Sequence, residues 1–149
     1  MLPDNCKLYE FAPRFDTSTH NLLRKVGGLD MDWVLYYDNM RLSAIDTLYV
    51  VVDNKNIVIA SGGVKIISPQ SVQFCLLCVD ERYRGQGIAR TIYKKLLASI
   101  PSSVTSYQVI SDTKLDELGM WKHWGYEETG NHPDGLGNDE IVLTKWVSK

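Results

Sequence analysis

No stretch of this 149-residue chain approaches the run of apolar residues needed to cross a bilayer as a helix, and that excludes a helical membrane protein. The N-terminus, MLPDNCKLYEF, has no basic segment followed by an apolar run, so a cytoplasmic location is expected. Cysteine is scarce. Cys6, Cys75 and Cys78 are odd in number, and Cys75 and Cys78 lie in an apolar run without the second pair or the histidines a zinc site needs. Neither a disulfide framework nor a metal is expected, and the thiols read as buried side chains of a reducing compartment. Charge of one sign is missing too. A net charge of −2 supplies no field to draw the chain to nucleic acid or to an anionic membrane, so neither is an expected partner. Repeats, linkers and low-complexity segments are absent, and the length suits one domain over residues 1–149 that buries its own core. Of the familiar phosphate-binding turns, there is no Gly-Lys-Ser/Thr of a P-loop, and no Gly-x-Gly-x-x-Gly is completed.

What is present alternates between strand-like and helical stretches. Lys7 to Phe11 is apolar at alternate positions and stopped by Pro13, which predicts a first strand. Asp16, Thr17 and Ser18 offer N-caps for a helix over Thr19 to Val26, with Gly27 and Gly28 as its stop. Leu29 to Ile45 carries Trp33, Tyr36, Tyr37 and Met40 at steps of three and four. It reads either as an amphipathic helix packed on a sheet or as one that lines an acceptor pocket. Thr47 to Val52 and Ile57 to Ile67 are rich in β-branched residues and flank the polar turn Asp53 to Asn56, the pattern of an antiparallel hairpin. A turn at Ser68-Pro69-Gln70 leads into a strand over Ser71 to Val79. Beyond it come a helix ended by Pro101, a strand over Val104 to Ile110, a short helix over Leu115 to Trp124, a strand starting at Tyr126 to Thr129, a glycine-rich loop over Gly130 to Asn138, and a last strand from Asp139 to Val147. The strand, helix, strand succession around residue 90 is a right-handed βαβ unit, so its two strands are parallel.

The chemistry is concentrated in Val79 to Leu97, VDERYRGQGIARTIYKKLL. An apolar run with no helical spacing gives way, across two glycines, to apolar residues at helical spacing from Ile88 onward. Gly85 and Gly87 lack the Cβ atoms that would stop the backbone from curling, so consecutive N–H groups can converge at the start of the helix. Unpaired first-turn amides and the positive end of the helix dipole favour an anion there, and Arg84 and Arg90 flank the turn with full charges.

Arg84, Gly85, Gln86, Gly87, Ile88 and Ala89 resemble the Arg/Gln-x-x-Gly-x-Gly/Ala motif of the GCN5-related N-acetyltransferases, the GNAT family, which hold the diphosphate of acetyl-CoA on such a turn. The order of elements resembles the GNAT fold over nearly the whole chain, and Trp121 to Tyr126 is similar to the family's Tyr-x-x-x-Gly-Phe signature. The resemblance implies an α+β fold in α/β/α layers, with a mixed, mostly antiparallel sheet of six to seven strands and the βαβ unit at the cofactor turn. It implies an N-acetyltransferase whose cosubstrate is acetyl-CoA and whose partner is a primary amine, with homodimerisation left open. The alternative is a GNAT-fold module that binds acyl-CoA as a sensor and transfers little. In the family the amine attacks the thioester directly. That chemistry needs a sink for the amine's proton, a donor for the developing oxyanion and an acid near the departing thiolate.

On that resemblance Leu77, Cys78 and Val79 offer main-chain groups to the thioester and the pantetheine arm, with Leu77 as the catalytic donor, and a bulge splays this strand from its neighbour. The turn residues Arg84 to Ala89, with Arg90, hold the diphosphate. The sequence departs from the family at Gln73, which cannot replace a glutamate base, at Lys114, where many members have asparagine, and at Trp121, where a tyrosine acid is usual. The indole N–H donates a hydrogen bond but is no proton source at useful pH, so Trp121 is expected in the catalytic site as a residue packed beside the pantetheine or the acceptor. Asp112, just after a strand that should end at the cleft, is the remaining titratable candidate, either as base or ammonium anchor or as the N-cap of the next helix. His20 reads as part of the first helix, His123 as a surface residue and His132 as a loop residue. Asp30, Asp32 and Asp38 suit a cationic acceptor or are plain solvated charges.

Overall fold

The computed structural model describes residues 2–27, 42, 45–112, 117–133 and 139–147. The strands are β1 Lys7–Glu10, β2 Thr47–Val52, β3 Val58–Ser68, β4 Ser71–Val79, β5 Ser106–Asp112, β6 Glu127–Pro133 and β7 Asp139–Trp146. Among the described residues the helices are α1 Asp16–Gly27, α2 Ile88–Ser99 and α3 Glu117–His123. The seven strands form one mixed sheet in the hydrogen-bonded order β1-β2-β3-β4-β5-β7-β6. Its neighbours β1/β2, β2/β3, β5/β7 and β6/β7 are antiparallel and β4/β5 is parallel. The parallel pair flanks α2, as a βαβ unit requires. The second expected helix, Leu29 to Ile45, lies outside the described residues except for Leu42 and Ile45, both buried. By contacts the chain divides into two compact units, Met1–Val64 with Leu76–Ser99, and Lys65–Cys75 with Ile100–Lys149.

In the first unit β2 and β3 supply a continuous apolar interior. Val50, Val51, Val52, Ile59 and Ala60 are almost wholly buried, as β-branched residues on a covered pleated surface should be. Helix α2 lies against the face that carries Gly62 and its cross-strand partner Tyr49. A Cβ at Gly62 would stand 2.5 Å from Ile92 and 2.9 Å from Leu77, so glycine is what lets α2 and β4 approach β3 this closely. Lys95 of α2 reaches over the Tyr49 ring, 5.9 Å from its centre. The start of α1 differs from the expected one. Pro13 fixes the first φ of a 3-10 turn over Pro13–Phe15, which feeds directly into a helix from Asp16. Ser18 therefore lies inside the helix, and its hydroxyl accepts the Val58 N–H at 2.8 Å, tying α1 to the first residue of β3.

In the second unit β4 and β5 pair in parallel from Ser71↔Ser106 to Phe74↔Val109, and β5 continues antiparallel with β7 along its whole length. Helix α3 ends in a Schellman motif. Tyr126 N–H bonds to the Trp121 carbonyl, Gly125 N–H bonds to the Lys122 carbonyl, both at 3.0 Å, and Gly125 takes φ +96°. The hydrophobic contact that accompanies this motif is the Trp121–Tyr126 ring pair, 5.1 Å between centres. The resemblance at Trp121 to Tyr126 is thus, physically, a helix-stop device. The expected loop over Gly130 to Asn138 needs correction. Strand β6 runs to Pro133, paired residue by residue with β7 as far as Asp139. Gly130 does not open a loop but follows a bulge at Thr129, where the register shifts between Glu128↔Leu143 and Gly130↔Val142. Residues 134–138 lie outside the described ones.

Candidate active site: the left-handed break in β4 and the glycine turn

The site grows out of β4. Side chains alternate half-buried and buried from Ser71 to Leu76, and then Leu77, Cys78 and Val79 are buried in succession. The alternation fails where Leu76 adopts φ +58°, a left-handed conformation rare for a branched side chain. This left-handed residue falls immediately before Leu77 to Val79. After Val79 the chain is still held to β3, for Asp80 N–H bonds to the Ile59 carbonyl at 2.8 Å.

From there a 3-10 turn over Glu81–Tyr83 raises the chain toward the glycines. Asp80 caps that turn, its carboxylate accepting the Arg82 N–H at 3.0 Å, Arg82 Nε at 3.3 Å and Nη2 at 3.2 Å, and Lys25 Nζ of α1 at 2.8 Å. Burial pushes the Asp80 carboxyl up, but the hydrogen bonds from Arg82 and Lys25 outweigh it and hold the group well below the usual carboxylate range. Arg84 closes the turn by donating Nε–H to the Val79 carbonyl at 3.2 Å.

Gly85 and Gly87 both have φ +79°. A Cβ at either would meet nothing within 4 Å, so the glycines serve the backbone's handedness and leave open space above the turn. The Gly87 carbonyl starts the helical ladder by accepting Thr91 N–H at 3.0 Å and Thr91 Oγ1–H at 2.9 Å. The amides of Ile88, Ala89 and Arg90 therefore belong to the first turn, which has no acceptors inside the helix. That turn contains no acidic residue, and Arg84 and Arg90 are exposed beside it. Together these features fit a diphosphate: N–H groups, a helix dipole, open space and two cations.

The structure gathers the whole expected cofactor set, Leu77 to Val79 and Arg84 to Arg90, on one continuous strand, turn and helix start of the first unit. Trp121 and Asp112 are in the second unit. Trp121 is 2% exposed and packs on Phe74, Trp124 and Tyr126 at ring-centre distances of 6.2, 5.4 and 5.1 Å. Asp112 ends β5 with its backbone opposite Glu140 of β7. His20 bonds through Nδ1 to the Asp16 carbonyl one turn back in α1, His123 is exposed, and His132 lies in β6 rather than in a loop. Among the described residues no three His, Cys, Asp or Glu side chains are placed to hold a metal, and no helix is long and apolar enough to cross a membrane. Asp80, Lys25 and Ser61 were missed from sequence. Asp80 had a local signal, an Asp just past a strand with a turn behind it, whereas Lys25 and Ser61 meet β4 and its turn only through the fold.

Residues 35–137 match the family model described as an acetyltransferase (GNAT) domain. The fold is similar to Ard1 from Thermoplasma volcanium (TM-score 0.74, 16% identity, 97% of this chain and 99% of that one). It is also similar to a GNAT acetyltransferase from Elizabethkingia anophelis with acetyl-CoA bound (0.69, 16%, 97% and 100%), and to NAA60 from Arabidopsis thaliana in complex with a bisubstrate analogue (0.75, 12%, 96% and 98%). No curated protein matches the sequence. With a family model matched over more than half of its residues, the chain belongs to the GNAT acetyltransferase family.

Proposed function

We propose that the protein transfers the acetyl group of acetyl-CoA to a primary amine, small or on a protein, in a ternary complex. The observation that carries this reading is the pairing, on one stretch of chain, of a left-handed break at Leu76 with a turn whose two glycines are both at φ +79°. The Arg84 amide is bonded to the Glu81 carbonyl, so the turn's amides from Gly85 to Ala89 take the diphosphate, with Arg84 and Arg90 adding charge. Leu77 N–H donates to the thioester oxygen, and Cys78 and Val79 offer main-chain groups to the pantetheine arm. As the amine nitrogen bonds to the thioester carbon, negative charge gathers on that oxygen, where a fixed N–H lowers the barrier. The C–S bond then breaks, the electron pair leaves on sulfur as a thiolate, the amine's surplus proton passes to water, and the thiolate takes a proton from water, giving an amide and the CoA thiol.

Trp121, buried in its aromatic cluster, holds the second unit's packing rather than a proton. Asp112 stays a candidate from the sequence alone, as ammonium anchor, as base, or as the N-cap of the next helix. A cytoplasmic location belongs to the same reading. Fold neighbours solved with acetyl-CoA or with a bisubstrate analogue support the acetyl transfer. The test is thiol release from acetyl-CoA against a panel of amines and peptide N-termini, with the acetylated product identified by mass. Thiol release that depends on one amine class is the expected result. CoA binding with no release for any acceptor would instead leave an acyl-CoA-binding module.

A further inference from the structure

We infer that Ser61 is a positioning residue for acetyl transfer, its buried hydroxyl latching the left-handed backbone at Leu76 and thereby aiming the Leu77 amide. The inference rests on the proposed role of Leu77 N–H and deepens it. Ser61 is 0% exposed in the middle of β3, and its Oγ lies 2.7 Å from the Leu76 carbonyl oxygen and 3.5 Å from Cys78 Sγ. A carbonyl only accepts, so the single hydroxyl proton points to Leu76, and the Cys78 thiol donates in turn to the serine oxygen.

The geometry of the peptide unit makes this bond matter. The Leu76 carbonyl and the Leu77 N–H belong to one planar trans amide and point in opposite directions. Fixing the carbonyl toward β3 fixes the N–H away from β3. Leucine gains nothing locally from φ +58°, and such backbone persists only where its surroundings hold it. Here β3 grips β4 on both sides of Leu77 to Val79, through the Ser61 hydroxyl at Leu76 and through the Ile59 carbonyl at the Asp80 N–H. The second grip is ordinary backbone pairing. The first is a side chain that holds the left-handed backbone at Leu76.

The experiment compares Ser61→Ala and Ser61→Thr with wild type in kcat, in CoA affinity by calorimetry, and in backbone amide NMR shifts. In Ser61→Ala, kcat falls by about tenfold or more, toward the range seen when an oxyanion donor is lost. CoA affinity stays within about twofold, because the diphosphate turn has its own supports. The Leu77 amide shift moves while those of Gly85 and Gly87 do not. Ser61→Thr, which keeps the hydroxyl, recovers most of kcat. An alanine variant with unchanged kcat, or one in which kcat and CoA affinity fall together, overturns the latch. A wild type that transfers to no acceptor overturns the proposed function, and the Leu77 shift then still reads the latch. If the alanine variant does not fold, the wild-type Ser61 hydroxyl proton decides: slow exchange supports the latch, and fast exchange overturns it.

Discussion

Replacing Asp80 by alanine should destabilise the fold by about 2–3 kcal/mol at neutral pH. The carboxylate caps the 3-10 turn, and loss of such a cap costs about 0.5–2 kcal/mol. It also accepts charged hydrogen bonds from Lys25 and Arg82, worth about 1.5–3 kcal/mol where the groups are desolvated. Only the acid is desolvated here. The Asp80 side chain is 5% exposed, while those of Lys25 and Arg82 are 55% and 68% exposed. Once the acid is gone the two cations return to water, so the total stays below the cost of stranding a buried charge. For a chain of this length the change lowers Tm by about 5–10 °C. Because the folded-state carboxyl lies below its ordinary range, its contribution is complete above the unfolded-state value near 4 and fades as pH falls further. Urea melts of wild type and Asp80→Ala should therefore differ by a constant amount from about pH 8 to pH 5, and the difference should begin to shrink below about pH 4 and keep shrinking as pH falls further. A difference under about 0.5 kcal/mol at neutral pH, or one that persists unchanged in acid, would refute the reasoning.

Trp121→Phe should keep most of the activity and fold, since a ring still meets Phe74 and Tyr126. Trp121→Ala should lose about 3–5 kcal/mol by leaving a cavity in the aromatic cluster, and a phenylalanine enzyme as dead as the alanine one would show that the indole N–H has its own role. Initial rates against pH should give kcat/KM rising toward the acceptor amine's pKa with no plateau from a side chain. Asp112→Asn should raise KM with little effect on kcat. A profile that levels near neutrality and collapses in Asp112→Asn would instead make Asp112 a general base.

The parts of the molecule legible in the sequence are those whose cause is local. The change of period at Gly85 and Gly87 located the turn, because left-handed backbone strongly favours glycine and both residues adopt it. The hairpins at Asp53 to Asn56 and at Pro69-Gln70 were legible for similar reasons of turn chemistry. Gly130 misled, since the same residue that opens loops also sits beside bulges, and only β7 alongside distinguishes the two. Leu76 carries no signal at all. Nothing in a leucine announces φ +58°, and the serine that bonds its carbonyl lies fifteen residues earlier in the chain. Trp121 matched a family position in sequence, yet the fold explains it through the Schellman stop at Gly125 and the rings around it. Long-range partners such as Lys25 and Asp80 have no spacing rule from which to be read.

The most direct measurement is a calorimetric titration of wild type and Gly87→Val with CoA, and of wild type with pantetheine, which lacks the diphosphate. Wild type should bind CoA and bind pantetheine at least about a hundredfold more weakly, because the turn's amides and arginines act on the diphosphate. Gly87→Val should keep its circular dichroism and lose CoA binding. No atom crowds a Cβ there, so the defect would come from forcing a branched residue to φ +79° and from filling the space where the diphosphate sits. Pantetheine binding as tightly as CoA, or a folded Gly87→Val with unchanged CoA affinity, would contradict the placement of the cosubstrate on this turn.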